Sequence, residues 1–363
     1  MKKILNILTL MEPGGVQQRE FMFRSYSKKS YKIKTVFLYK KINNQADKEG
    51  VCLFHKKPSL FKTFIIFFKL IKCIREFKPD LIMTWGWTSN SFGILASLFY
   101  PKCKRIVMQT STAYQYKFLK GRLRLTGTLG VILDKILGMT NIYNLNIIVS
   151  EHNLKSYSLY PKSYLKKCKL IFNGISLNEK TTNNNFEYLK NKKLIGSIGR
   201  LSIIKNHISI IKSLKYIYDV HYIIVGQGPE KENILKESKK QQVDNRVTII
   251  ENISHDQIYS FLKTLSVFMF PSLSESFGLA VMEAMSIPLP AILIEAPWSI
   301  DMFGSNFPSI VKNDPKEIAR ITNKILSNAQ YAEDLKRASS NIAKKYDFSN
   351  MANSYLEEIK KII

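Results

Sequence analysis

Glu275 and Glu283 stand eight positions apart in the segment PSLSESFGLAVMEAMSIPLP, residues 271–290, on either side of a Ser-Phe-Gly-Leu turn. Ahead of them Val267, Phe268, Met269 and Phe270 are apolar enough for a buried strand, and Pro271 to Ser276 has the composition of the loop leaving it. Gly278 onward predicts the start of a helix. Glu275 then lies on the loop and Glu283 just over a turn into the helix, with backbone N–H groups that lack helical partners between them. A helix start of this kind attracts phosphate and other anions, while carboxylates accept hydrogen bonds from hydroxyls. One short segment could therefore hold both halves of a sugar nucleotide. Glutamates also occur at helix starts simply because they complement the helix dipole, so the reading depends on the rest of the chain.

The elements that must position these residues follow from an alternation of short apolar runs with longer amphipathic ones. Ile4–Leu10, Thr35–Leu38, Leu81–Thr84, Ile106–Met108 and Ile147–Val149 form one series of predicted strands. Leu194–Ile198, His221–Val225, Val247–Ile250, Val267–Phe270 and Ala291–Ile294 form a second, with helices expected over Ile208–Tyr218, Lys231–Gln241 and Asp256–Leu265. This is the rhythm of βαβ units and parallel sheets, and it predicts an α/β chain of two Rossmann-like domains facing a central cleft. The polar run around TTNNN interrupts the rhythm. The expected organisation is an N-terminal domain over 1–180, a linker over 181–193, a C-terminal domain over 194–343 and a last segment, 344–363. That segment predicts an amphipathic helix with Met351, Tyr355, Leu356 and Ile359 near one face, completing the second domain or packing back toward the first.

The chain has 363 residues, enough for two domains with their own cores, and its 45% hydrophobic and 23% charged residues are those of a globular protein. Fifty-five Lys and Arg against 28 Asp and Glu give a formal charge of +27, which points to an anionic substrate or surface or to a basic compositional bias. Nucleic acid is not the expected partner, because zinc-finger spacing, RNP-like aromatics and a recognition-helix pattern are all missing. Cys52, Cys73, Cys103 and Cys168 are scattered without C-x-x-C pairing or clustered histidines, so no metal site is expected and free thiols in a reducing compartment are. MKKILNILTL imitates a signal peptide, but it lacks a small-residue cleavage site and runs into Gly14-Gly15, which predicts a first buried strand instead. No apolar stretch approaches the roughly 18 residues of a bilayer span.

Several further segments share one order. GRLSIIKN (199–206) and VGQGP (225–229) follow the first two strands of the second series; SESFGLAVMEAM comes after them, and VSE (149–151) and FNGIS (172–176) come before. In that order the chain resembles glycosyltransferase family 4, the retaining GT-B enzymes, most specifically over residues 194–292. The resemblance implies a nucleotide-sugar donor held mainly by the C-terminal domain, with Arg200 and Lys205 gripping the diphosphate. Fixed cations suit the charge that develops on a departing nucleoside diphosphate. It also implies that Glu275 meets the sugar hydroxyls, Glu283 the ribose, and the backbone of Ser276, Phe277, Gly278 and Leu279 the sugar and phosphates, with the base near Asn252, Ile253 and Ser254. Gly199, Gly226 and Gly228 would bring backbone close to the ligand, and Gly14 and Gly15 match a loop closing over the donor. Gln109 and Thr110 stand where many members carry a histidine, and Pro288 replaces a frequent glycine. Gln109, Thr110 and Asn173 are taken as acceptor-side or supporting positions.

The activity so implied is metal-independent, cofactor-free transfer with retention, by positioning and charge stabilisation rather than through a carboxylate nucleophile of the glycosidase kind. Leu60 to Lys78 interleaves aromatics with Lys62, Lys69, Lys72, Arg75 and Lys78, and Lys117 to Arg124 adds a second basic cluster. Together they predict a peripheral enzyme on the inner face of the cytoplasmic membrane, extending a polyprenyl-diphosphate-linked saccharide for O-antigen, capsule or lipopolysaccharide. Two other readings stay open from sequence: a GT-B nucleotide-sugar epimerase, and a non-catalytic, basic polyanion-binding protein.

Overall fold

The structure, a computed structural model, describes residues 1–12, 14–40, 50–55, 60–118, 121–177, 193–251 and 253–363. The chain divides into two compact units, one of Met1–Phe172 with Ser349–Ile363 and the other Asn173–Phe348.

In the first unit the strands are β1 (Lys3–Leu10), β2 (Lys32–Tyr39), β3 (Val51–Cys52), β4 (Leu81–Trp85), β5 (Lys104–Gln109), β6 (Leu145–Ile148) and β7 (Cys168–Leu170). They form a seven-stranded sheet in the order β3-β2-β1-β4-β5-β6-β7, with every pairing parallel. The helices are α1 (Gly15–Ser27), α2 (Leu60–Phe77), α3 (Trp87–Ser97), α4 (Gly121–Met139), α5 (Glu151–Ser156) and α6 (Lys162–Leu165). The strands read as continuous apolar runs because helices cover them: Leu5, Ile7, Val36 and Ile82 are buried in one cluster with Ile66, Leu70 and Ile74 of α2.

The second unit holds β8 (Leu194–Ile198), β9 (His221–Val225), β10 (Val247–Ile250), β11 (Val267–Phe270), β12 (Ala291–Ile294) and β13 (Ile310–Val311), a parallel sheet in the order β10-β9-β8-β11-β12-β13. Its helices are α7 (His207–Ser213), α8 (Lys231–Lys240), α9 (His255–Leu262), α10 (Leu279–Ser286), α11 (Pro297–Phe303), α12 (Pro315–Ser327) and α13 (Ala329–Ala343). Strands β3, β7 and β13 were not expected. At two or three residues each they carry no readable alternation, and pairing at a sheet edge alone defines them. The helix expected over 208–218 stops at Ser213 and tightens into a 3₁₀ turn over Leu214–Tyr216.

The last helix, α14 (Phe348–Ile362), belongs almost wholly to the first unit. Tyr355 meets Phe23 edge-on with ring centroids 5.6 Å apart and Trp85 at 6.2 Å, and Tyr26 donates to Asn353 Oδ1 at 2.9 Å. Of the face expected from spacing, Met351, Tyr355 and Ile359 are buried and Leu356 is half-buried at its border. The first unit ends at Phe172 rather than near 180, because Ile175 pairs with Asp347 and its N–H donates to the Tyr346 carbonyl at 2.8 Å. Of the connection expected at 181–193, only Lys193 lies within the described residues.

Candidate active site

Parallel crossovers leave the carboxyl ends of all strands at one edge of a sheet, where loops from distant segments meet. In the second unit the loops after β8 and β11 meet there. Lys205 Nζ donates to Glu275 Oε1 at 2.5 Å across 70 residues of chain, and Ser272 Oγ donates to the same oxygen at 2.6 Å. Both bonds fall on Oε1, which leaves Oε2 without a hydrogen bond among the described residues. Lys205 Nζ also sits 5.0 Å from the centre of the Phe270 ring.

Two backbone contacts lock this pair in place. Leu273 N–H donates to the Ile204 carbonyl at 2.8 Å, and the Trp298 indole donates to the Ser272 carbonyl at 2.7 Å. Asn206, just after Lys205, is left-handed at φ 50°, a conformation that asparagine tolerates. Its amide and the Ser209 hydroxyl converge on Asn313 Oδ1 at 3.1 and 2.6 Å. Behind the loop, burial and then the charge of Lys205 push His207 down to about 3, so its ring is neutral. It lies 3.1 Å from the Tyr222 hydroxyl, which reaches Ser197 at 2.8 Å.

Gly278 caps α10 at φ 83° and packs tightly, since a Cβ there would come within 3.2 Å of Trp298 and 3.1 Å of Val281. The backbone N–H groups of Phe277, Gly278 and Leu279 make no hydrogen bond among the described residues, as expected for the first turn of a helix. Phe277 is buried edge-on against Tyr346, Ser276 and Leu279 are half-buried, and Glu283 is buried within α10. Arg200 is exposed and makes no side-chain hydrogen bond or ion pair among the described residues. The structure thus brings Lys205 to Glu275 directly, while among the described residues no hydrogen bond or ion pair joins Arg200 to that pair. Pro288 lies exposed two residues past the end of α10 at Ser286, where a helix no longer needs its N–H. Ile253 and Ser254 precede α9; Asn252 is outside the described residues.

Gly226 has a clear packing reason. A Cβ on it would lie 1.9 Å from the Gly199 carbonyl oxygen, and one on Gly228 would lie 2.2 Å from that of Leu201. These glycines let the loop after β9 run against the loop after β8. Bonds from Gly199 N to Val225 O (2.9 Å) and from Leu201 N to Gln227 O (3.0 Å) join the two.

In the first unit, Gly14 and Gly15 stand at the start of α1. Gln109 ends β5 and is 1% exposed. Its amide nitrogen donates to Asp134 Oδ1 (3.1 Å) and the Tyr164 hydroxyl (2.8 Å), and its oxygen accepts from Asn90 (3.3 Å) and Tyr157 (3.1 Å). An amide offers two hydrogens and two lone pairs, so Gln109 is saturated inside the unit and contact with an acceptor is not open to it. Thr110, half-buried, would lie 3.4 Å from a Cβ placed on Gly86. Asn173 is buried in the second unit, beside Gly174, which packs on the backbone of Phe348.

Burial raises Asp134 to about 6, against hydrogen bonds from Tyr164, Gln109 and Tyr143 that pull the other way. The folded state therefore favours the protonated acid. That preference is complete below the unfolded value near 3.8 and is lost as pH rises through 6. Asp134→Asn, which does not titrate, is expected to gain about 2–3 kcal/mol on the wild type between pH 4 and 7. Denaturant midpoints measured across that range check it, and parallel profiles for the two proteins would refute it.

Sequence reasoning missed Ser272, Trp298 and Asn313. Ser272 had a local signal, a hydroxyl three residues before Glu275. Trp298 and Asn313 act from 26 residues and more away and had none. Among the described residues no group of three or more His, Cys, Asp or Glu is placed to hold a metal ion.

Residues 179–343 match the family model of the glycosyl transferases group 1. That segment contains every second-unit position from Gly199 to Glu283 described above. The O-antigen biosynthesis glycosyltransferase WclY of Escherichia coli is 26% identical over 299 residues, 77% of this chain and 80% of its own. The capsular polysaccharide biosynthesis glycosyltransferase CapM of Staphylococcus aureus is 24% identical over 345 residues, 86% and 84% of the two chains. Anabaena HepE, solved in complex with UDP and glucose, superposes with a TM-score of 0.82 over 99% of this chain and 100% of its own, at 16% identity. The fold is accordingly the one seen in GT-B glycosyltransferase structures, an α/β chain with two parallel sheets, and residues 179–343 are similar to the group 1 family.

Proposed function

We propose that this chain is a retaining glycosyltransferase of family 4 type that moves a hexose or N-acetylhexosamine from a nucleotide sugar to a lipid-linked oligosaccharide. A UDP-sugar is the favoured donor and GDP-mannose the second. The reading is carried by the meeting of Lys205 with Glu275 at the N-terminus of α10. Lys205 and the exposed Arg200 supply fixed positive charge for a leaving diphosphate, and the N–H groups of Phe277, Gly278 and Leu279 add donors that need no reorganisation. Glu275, held by Oε1, keeps Oε2 for a sugar hydroxyl. The acceptor hydroxyl attacks the face from which the diphosphate departs, and a phosphate oxygen takes its proton. No metal or cofactor is assigned a part. The names of WclY and CapM support O-antigen, capsule or related polysaccharide as the product, and the UDP in HepE supports the choice of base.

An acceptor linked to polyprenyl diphosphate would be met at the inner face of the cytoplasmic membrane. Among the described residues no helix is long and apolar enough to cross a membrane. Helix α2 buries Ile66, Leu70 and Ile74 on the sheet while Phe64 and Phe68, 66% and 65% exposed, point outward among Lys62, Lys69 and Lys72. It is both a core helix and a basic, aromatic surface.

A panel of nucleotide sugars, read first by thermal shift and then by transfer to a lipid-linked acceptor, tests the function. One UDP-sugar is expected to raise Tm and to be transferred with its anomeric configuration kept. Conversion of the nucleotide sugar without an acceptor would make the chain an epimerase. Tight, salt-dependent nucleic-acid binding without nucleotide release would make it a polyanion-binding protein.

A further inference from the structure

We propose that the outward face of α4 is a second docking surface for an anionic lipid bilayer. Leu125, Leu129, Ile132, Ile136 and Met139 follow one another at intervals of four, three, four and three residues, which lines them along one stripe of the helix. At the α-helical rise the stripe runs about 21 Å. All five are between 48% and 62% exposed, whereas Val131, Asp134 and Leu137 on the other side are buried against the unit. The inner contact is close, since a Cβ on Gly138 would fall 2.1 Å from the Tyr164 ring. The helix is thus held by one face and presents an apolar stripe on the other, an arrangement that marks an interaction surface.

Charge selects the occupant. From Leu81 to Ser150 the chain has eight Lys and Arg, of which Arg105 is buried, and one acidic residue, Asp134, which is buried too. A second copy of the chain would set like charge against like. Nucleic acid would answer the charge and leave the stripe in water. A bilayer with anionic headgroups satisfies both, taking apolar side chains at the acyl boundary and cations among the phosphates. Arg124 is exposed one residue before the stripe, and Lys135 lies 4.7 Å from the Tyr160 ring beside it. Helices α2 and α4 both pack against α3, so the aromatic surface of α2 and the stripe of α4 belong to one helical layer of the first unit. This surface deepens the membrane partner proposed above and owes nothing to the donor chemistry.

The test uses the full chain with vesicles of phosphatidylcholine alone and of phosphatidylcholine with phosphatidylglycerol, read by flotation at moderate salt. The wild type is expected to float only with the anionic vesicles. Ile132→Ser combined with Ile136→Ser is expected to weaken that binding at least tenfold while its melting curve and its response to UDP stay those of the wild type. Three results overturn the proposal: wild-type flotation that ignores phosphatidylglycerol, equal flotation of the double variant, or a wild-type dimer that sediments as a monomer once the two residues are changed. Failure of the wild type to respond to UDP would count against the donor reading alone.

Discussion

Lys205→Ala and Glu275→Ala are each expected to lower kcat for sugar transfer by about 10²–10³-fold, the usual loss when a preorganised group that meets developing charge is removed. The two should fail differently. Lys205 faces the diphosphate in the proposed chemistry, so its removal should also weaken UDP binding. In the same proposed chemistry Glu275 meets the sugar, so Glu275→Gln should spare UDP binding and lower kcat. Lys205→Arg is not a conservative rescue, because a planar fork cannot replace a point charge held 2.5 Å from one carboxylate oxygen and 5.0 Å from the Phe270 ring. The structural loss should be small beside the kinetic one. The pair is partly exposed, with side-chain accessibilities of 22% and 14%, and Ser272 still holds Glu275 when Lys205 is gone. A cost of about 1–2 kcal/mol is expected, between the values for surface and buried pairs. Steady-state kinetics with UDP titrations and melting curves on the same samples decide the matter. Folded variants that turn over like the wild type would remove Lys205 and Glu275 from the active site.

The second large effect is on the scaffold. In Gly226→Ala the added carbon would lie 1.9 Å from the Gly199 oxygen and 2.9 Å from its carbonyl carbon, both of them backbone atoms that no side-chain rotation can clear. The loops cannot part freely, because Gly199 N–H is bonded to Val225, Gly226 N–H to Ile250 and Leu201 N–H to Gln227. A loss of about 3 kcal/mol is expected from overpacking of this severity. For a unit of this size that corresponds to a Tm lower by roughly 6–12 °C. Because Arg200 and Lys205 hang from the displaced loop, the folded fraction should also bind UDP less tightly. Calorimetry and a UDP titration test it, and a variant with unchanged Tm and affinity would show that the two loops do not touch.

Much of this was open to a reader of the chain. Strands covered on both faces must be apolar throughout, so β1, β8 and β11 announce themselves, and their alternation with amphipathic runs implies parallel sheets. The loop Glu275, the helix start at Gly278 and the apolar face of Met351, Tyr355 and Ile359 could be placed from type and spacing, because those choices are made within a few residues of chain. The two-residue strands β3 and β13 could not, since their only cause is a neighbour across a sheet edge.

What the tertiary structure decided concerns partners distant in sequence. Periodicity tells which residues share a face, not what covers it: the stripe on α4 meets solvent, and the stripe on α14 meets Phe23 and Trp85. The family resemblance implied that Gly226 brings backbone close to a ligand; its observed contact is another loop. Gln109, which the resemblance made an acceptor-side or supporting position, has its amide filled by Asp134, Tyr164, Asn90 and Tyr157. Residue types told which groups could do chemistry. The bond between Lys205 and Glu275 exists because right-handed crossovers between parallel strands return the chain, 70 residues later, to the same edge of one sheet.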